Sequence, residues 1–195
     1  MKKDGNEKEF LANFRAELVN VVGGSDLNQE LDLISLQEDL KGHEIRYDPE
    51  VWAGLYIRFE KNSPAILVFS SGKYNIAGAE SVEELKKANK SFLSNLNNFG
   101  MGVKFTEIEI RNQVYLARYG NEVDLNPLLV GLGLENCEYE PEQFPGAFYN
   151  IPDSKGTFLI FRTGKVVLTG VKTWQEAERS FDKLFSSLNS MFQNS

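Results

Sequence analysis

Few residues of this 195-residue chain could carry covalent or acid–base chemistry. Cys137 is the only cysteine and His43 the only histidine. A single cysteine excludes an internal disulfide and a cysteine-based zinc site. As a nucleophile it would need an organised base, and the ordinary role of such a thiol is that of a small half-buried packing group. His43 is flanked by Glu44 and by no other partner for proton transfer, so Gly42-His43 reads as a surface turn. The usual nucleophilic constellations are absent, and no motif argues for carboxylate-only or metal-dependent catalysis. The expectation is a non-enzyme without cofactor or metal. What remains is the chemistry of recognition: two asparagines, Asn20 and Asn112, that can donate and accept hydrogen bonds, and four cations, Arg58, Lys73, Arg162 and Lys165, that can meet an anion.

Their spacing is informative. Asn20 and Asn112 lie 92 positions apart, and so do Lys73 and Lys165. The offset runs through the chain. PAILVFSSGKYNIAG at 64–78 answers GTFLIFRTGKVVLTG at 156–170, and Asp32-Leu33, Tyr47, Pro49-Glu50, Gly54 and Leu96-Asn97 all recur. Without gaps, 20 of the 81 positions from 20 to 100 are identical to their partners. Solenoid repeats have periods of roughly 20 to 50 residues, so this is a tandem duplication of one small unit. Pseudo-two-fold symmetry is expected, with a charged, flexible tail at 1–16, a first copy at 17–103 and a second at 104–195.

Composition is compatible with a real core: 42% of residues are hydrophobic and 12% aromatic. No apolar run approaches the length of a membrane span, and MKKDGNEKEF lacks a secretory apolar region. Net charge is −7, shared between the copies, which argues against a basic sheath for nucleic acid. Any nucleic-acid site must be local and carried by something else.

Each copy opens with a strand candidate, ELVNVVGG from Glu17 and IEIRNQVYLARY from Ile108. A short helix follows, with Asp32 and Asp124 as N-caps and Pro127 in the first turn. YDPEVWAGLYIRF and YEPEQFPGAFYNI read as a turn entering a strand, and the glycine-lysine hairpin comes next. A long helix closes each copy, marked by Ser81…Glu84 and Thr173…Glu176 capping boxes. Its apolar stripe is Val82, Leu85, Phe92, Leu96 and Phe99 in the first copy. In the second it is Trp174, Ala177, Phe181, Leu184, Leu188 and Met191.

The hairpin strands break the simple pattern. A sheet covered by helices on one face should alternate apolar and polar residues. Ala65–Phe69 and Thr157–Phe161 are instead apolar on both faces. With Ile66, Val68, Phe158 and Ile160 under the helices, Leu67, Phe69, Leu159 and Phe161 face away, joined by Val22, Val114 and Val167. No amphipathic helix is left to cover them, and an exposed apolar face of this breadth marks a binding surface. Edged by cations and doubled by symmetry, it suits a partly apolar ligand with an anionic rim, such as the minor groove of DNA.

The paired segments, EYEPEQFPG followed by LIFRTGKVVLTG and the weaker first copy, resemble the TATA-box-binding protein family in its archaeal form, over about residues 17–192. The resemblance implies an α+β saddle: two repeats forming one curved antiparallel sheet with helices on the convex face. It implies a general transcription initiation factor that binds A·T-rich double-stranded DNA in the minor groove and kinks it by aromatic insertion. The inserting positions would be Trp52 and Phe69, then Phe144 and Phe161, each pair 17 apart. Asn20 and Asn112 match the central asparagines that donate to A·T base edges. Val22, Leu67, Asn75, Ala77, Val114, Leu159, Val167 and Thr169 would line the groove, and Arg58, Lys73, Arg162 and Lys165 would meet phosphates. Trp52 stands where the family has phenylalanine, Asn75 and Ala77 face the second copy's Val167 and Thr169, and Asn150 replaces an arginine.

Between Arg118 and Lys155 there is no basic residue and there are seven acidic ones. A solvated acidic face is the ordinary explanation, yet Glu140, Glu142 and Gln143 match the loop by which the family docks transcription factor B, which then brings RNA polymerase. The alternative is a divergent paralogue with weak DNA binding that regulates by competing for transcription factor B. The implied location is the cytoplasm, with the nucleoid, or the nucleus in a eukaryote. An uncovered apolar underside would also permit a weak homodimer without DNA.

Overall fold

A computed structural model describes residues 16–119 and 122–192, the last five as backbone. Of the expected tail at residues 1–16, residues 1–15 lie outside the described residues, as do the stripe side chains Leu188 and Met191. The described residues divide into two compact units, one spanning Asn20–Arg111 and the other joining those from Asn112 onward to residues 16–19.

In the first copy, β1 (Glu17–Asp26), α1 (Leu33–Asp39), β2 (Glu44–Arg46), β3 (Gly54–Arg58), β4 (Ala65–Phe69), β5 (Lys73–Ala79) and α2 (Val82–Asn98) follow in order. The strands lie as β2-β3-β4-β5-β1. The second copy repeats this with β6 (Glu109–Arg118), α3 (Leu125–Leu132), β7 (Cys137–Glu138), β8 (Gly146–Asn150), β9 (Thr157–Phe161), β10 (Lys165–Val171) and α4 (Trp174–Phe192). Its order is β6-β10-β9-β8-β7.

Local chemistry sets these boundaries. Asp32 caps α1 by accepting from the N–H groups of Ile34 and Ser35 at 3.0 and 3.2 Å. Asp124 caps α3 through Asn126 N–H at 3.2 Å. In the long helices the Ser81 and Thr173 hydroxyls accept from the N–H groups of Glu84 and Glu176. The two glutamates reach back to the N–H of Glu80 and Lys172, one residue before the cap. The hairpins turn at Gly72 and Gly164, with φ of +85° and +74°, where each N–H donates to the carbonyl of Phe69 or Phe161 at 2.9 Å. A side chain there would be strained.

Each copy has a core between sheet and long helix. In the first, Leu55, Ile57, Ile66, Val68 and Ile76 of the strands and Leu85, Phe92 and Leu96 of α2 are all essentially buried. In the second, Phe158, Ile160, Val166 and Leu168 pack against Ala177, Phe181 and Leu184. The bulk is distributed differently. Tyr74 meets Phe92 with ring centroids 4.9 Å apart, whereas Phe158 meets Phe181 at 5.4 Å. Ala16, expected in the tail, is buried with the second core.

One expected core residue is not in the core. Phe99 is the C-cap of α2 and 40% exposed, because the helix ends before its stripe comes round again. The edge strands β2 and β7, three and two residues long, were not foreseen.

Candidate nucleic-acid interface

On the face away from the long helices, the half-buried residues alternate with the buried ones. β4 reads Ala65, Leu67, Phe69 on this face against Ile66 and Val68 beneath the helix. β9 does the same with Thr157, Leu159 and Phe161. Directly opposed residues share a face, so the ladders define rows across it. In the second copy Leu116, Val167, Leu159 and Phe148 lie side by side. In the first, the corresponding row is Gly24, Asn75, Leu67 and Tyr56. Val22 and Val114 are half-buried on β1 and β6, each beside a buried neighbour.

Each copy carries an aromatic pair where the first residue of one strand opposes the last of the next, Gly54 against Phe69 and Gly146 against Phe161. Phe144 and Phe161 approach with centroids 5.9 Å apart in a T-shaped arrangement. Both rest on Gly146, where an added Cβ would lie 2.9 Å from a ring carbon of each. In the first copy Trp52 and Phe69 close over Gly54 in the same way, at 2.6 and 3.0 Å. A methyl group at either glycine would push the rings apart, which explains the glycine in physical terms. Trp52 is 57% exposed and Phe144 36%, unusual for groups of this size.

The turn under each exposed aromatic is also shared. Glu140 carbonyl accepts from the N–H of Gln143 and of Phe144 at 2.9 Å, and Asp48 carbonyl does so for Val51 and Trp52. Gln143 Nε2 donates to the Glu140 carboxylate. The three expected partner-docking residues are therefore exposed on the turn that carries Phe144.

Both asparagines are pinned by their carbonyl oxygens. Asn20 Oδ1 accepts from Gly78 N–H at 3.0 Å and Asn112 Oδ1 from Gly170 N–H at 2.8 Å. This fixes each amide and points its NH2 to a different use. Asn112 Nδ2 donates to Thr169 Oγ1 at 3.1 Å. In the first copy Ala77 replaces the threonine.

The cations are less uniform. Lys165 Nζ stands 5.9 Å from the Phe161 ring centroid. Lys73 and Arg162 are exposed. Arg58 is held by Glu44 and packed on Tyr56, a cluster sequence reasoning missed because it looked for Arg58 alone. Asn150, in the arginine's place, accepts from Thr157 Oγ1 at 2.9 Å.

The residues set aside behave as packing and surface groups. Burial, then the nearby Glu135 carboxylate, pushes the Cys137 thiol above its usual range, away from a reactive thiolate. His43 is exposed, with its ring edge-on to Phe59. Among the described residues no group of three His, Cys, Asp or Glu could hold a metal, and no helix is long and apolar enough to cross a membrane.

Comparison with known proteins shows the family and the fold. The family model "Transcription factor TFIID (or TATA-binding protein, TBP)" matches twice, at residues 15–99 and 107–191. The chain is 41% identical to TATA-box-binding protein C of Halobacterium salinarum, over 90% of this chain and 98% of that protein. It is 34% identical to the TATA-box-binding protein of Archaeoglobus fulgidus, over 93% and 98% of the two. The solved structure of Methanococcus jannaschii TBP matches with a TM-score of 0.79 at 38% identity, covering 90% of this chain and 98% of that one. The duplicated α+β fold expected from the sequence is the one found, and the protein belongs to the TATA-binding protein family.

Proposed function

We propose that this protein is a general transcription initiation factor that binds A·T-rich promoter DNA through the minor groove, opens it with aromatic wedges and recruits transcription factor B and RNA polymerase. The observation that carries the reading is the repeated open face: half-buried strand residues turned away from the long helix, with an aromatic pair over a glycine in each copy. Such a face matches a groove floored by sugar and base edges. The rings can replace part of the stacking lost at an opened step, a cost of a few kcal/mol. Kinking by inserted wedges is a known property of the family rather than a deduction from this chain.

Asn20 and Asn112 would donate to acceptors common to A·T and T·A pairs, giving A·T preference without exact sequence readout. Arg58, Lys73, Arg162 and Lys165 would meet phosphates. Glu140, Glu142 and Gln143, in a segment without lysine or arginine, would steer a basic partner to one end. The archaeal relatives favour a cytoplasmic, nucleoid-associated location, and two open faces could pair in a weak homodimer without DNA.

Fluorescence anisotropy on an A·T-rich duplex tests the reading. Binding should weaken steeply with salt and exceed that to a G·C-rich duplex; salt-insensitive or absent binding sinks it. A Glu140→Arg, Glu142→Arg variant should still bind DNA but fail to recruit transcription factor B. The competing-paralogue reading is supported by Asn75 in the open row and by Asn150, engaged by Thr157 where a phosphate-binding arginine is expected. It requires weak duplex binding by the protein alone together with tight binding to transcription factor B.

A further inference from the structure

The first-copy sheet carries at its outer edge a cluster that the second copy lacks. Glu44 opposes Arg58 across β2 and β3, Arg46 opposes Tyr56, and Tyr56 opposes Leu67. Glu44, Arg46, Tyr56 and Arg58 therefore sit with Leu67 on the open face. The Glu44 carboxylate bridges both cations: one oxygen accepts from Arg46 Nη2 at 2.8 Å, and the other lies 3.8 Å from Arg58 Nη1. The two guanidinium groups also flank the Tyr56 ring, 5.6 and 5.7 Å from its centroid. At the matching second-copy positions stand Asn136, Glu138, Phe148 and Asn150, with no cation among them.

We propose that Arg46 and Arg58 form a two-guanidinium phosphate clamp seated on Tyr56, and that Glu44 fills it as a stand-in for phosphate until the DNA backbone displaces it. This rests on the minor-groove reading. A carboxylate shared between two guanidinium groups presents two oxygens where a phosphodiester presents its two non-bridging oxygens. The hold on Arg58 is incomplete: the contact is an ion pair without a hydrogen bond, and Arg58 Nε is buried with no acceptor. An unsatisfied buried donor favours a new partner. Arg46, 78% exposed, is free to swing outward with little packing to lose.

The charge count makes this measurable. When Arg58 and Arg46 move to a phosphate, the phosphate releases a condensed cation but the uncovered Glu44 attracts one. With Glu44→Gln the release is uncompensated, so affinity rises and its salt dependence steepens. Anisotropy titrations on one A·T-rich duplex at several salt concentrations should show Glu44→Gln binding about fivefold tighter near 0.1 M salt. The log–log salt slope should steepen by about one. Arg46→Ala should weaken binding and flatten the slope, and Arg46→Ala added to Glu44→Gln should remove the gain. Thermal melts, unchanged for these surface positions, exclude a folding effect.

Wild-type binding that is steep in salt but unaltered or weakened by Glu44→Gln overturns the clamp and leaves the minor-groove reading standing. An unchanged slope in Arg46→Ala also overturns it. Absence of duplex binding in wild type and every variant overturns both.

Discussion

The two copies keep the same backbone and line it differently. Across one register row of the open face the second copy presents Leu116, Val167, Leu159 and Phe148; the first presents Gly24, Asn75, Leu67 and Tyr56. The glycines that turn the hairpins and seat the aromatic pairs are identical, as are the asparagines. Positions fixed by backbone sterics have held, because a side chain there collides whatever binds. Positions fixed only by what lies on the face have drifted, one copy toward an apolar floor and the other toward polar and cationic groups. The difference predicts two copies that meet a shared ligand unequally.

The largest effect separates the two faces within one strand. Phe158 is fully buried under α4 and Phe161 lies half-buried on the opposite side. Phe158→Ala should cost about 3–5 kcal/mol of stability, seen in denaturant titration. Phe161→Ala should leave stability nearly intact and abolish most duplex affinity. Equal losses of stability would mean that the face is not open.

Next is the asparagine pair. Asn112 holds both Gly170 N–H and Thr169 Oγ1, whereas Asn20 holds Gly78 N–H. Asn112→Ala should therefore destabilise by about 1–2 kcal/mol and Asn20→Ala by less than about 1. The reverse order would contradict the inequality of the copies.

A smaller change converts one copy toward the other. Asn75→Val with Ala77→Thr gives the first row the side chains of Val167 and Thr169. Asn75 Oδ1 now lies 2.6 Å from where a Cβ on Gly24 would be, so its amide occupies the gap that Leu116 fills in the second copy. Exchanging it for an apolar group should tighten duplex binding severalfold, by about 1 kcal/mol. No gain would assign the asymmetry to the arginine edge instead.

The sequence made the repeat, the capped helices and the glycine turns legible because these depend on local sterics and hydrogen bonds. The two-sided apolar strands were legible too, since period-two alternation is visible in five residues. What was hidden depends on long-range pairing. β2 and β7 are too short to show a period, and they exist because β3 and β8 offer an edge. Tyr74 donates to Asn89 Oδ1 at 2.6 Å, and Asn89 Nδ2 donates to the Thr106 carbonyl at 2.9 Å. This buried network joins three segments that no spacing links. The Glu44–Arg46–Arg58 cluster was missed for the same reason, and Phe99 was misplaced because a stripe does not say where its helix stops.

The smallest expected effect compares the two short helices. Asp32 accepts from two N–H groups and from the Ser35 hydroxyl, at 2.7 Å. The Ser35 hydroxyl, and then the Ser35 N–H, hold its carboxyl below the usual range. Among the described residues Asp124 accepts from Asn126 N–H only, because Pro127 stands where Ser35 does and has no N–H to donate. Asp32→Ala should thus lower the melting temperature by a few degrees and Asp124→Ala by less. The sign with pH follows from the depressed folded-state pKa. The Asp32 contribution is complete above the unfolded value of about 3.9 and fades as pH falls through the folded one. The gap between wild type and Asp32→Ala should therefore be full at neutral pH and close in acid. A gap that stays constant down to the acid limit would show that the Ser35 contacts do not favour the ionised carboxylate, and that the two caps differ only through the proline.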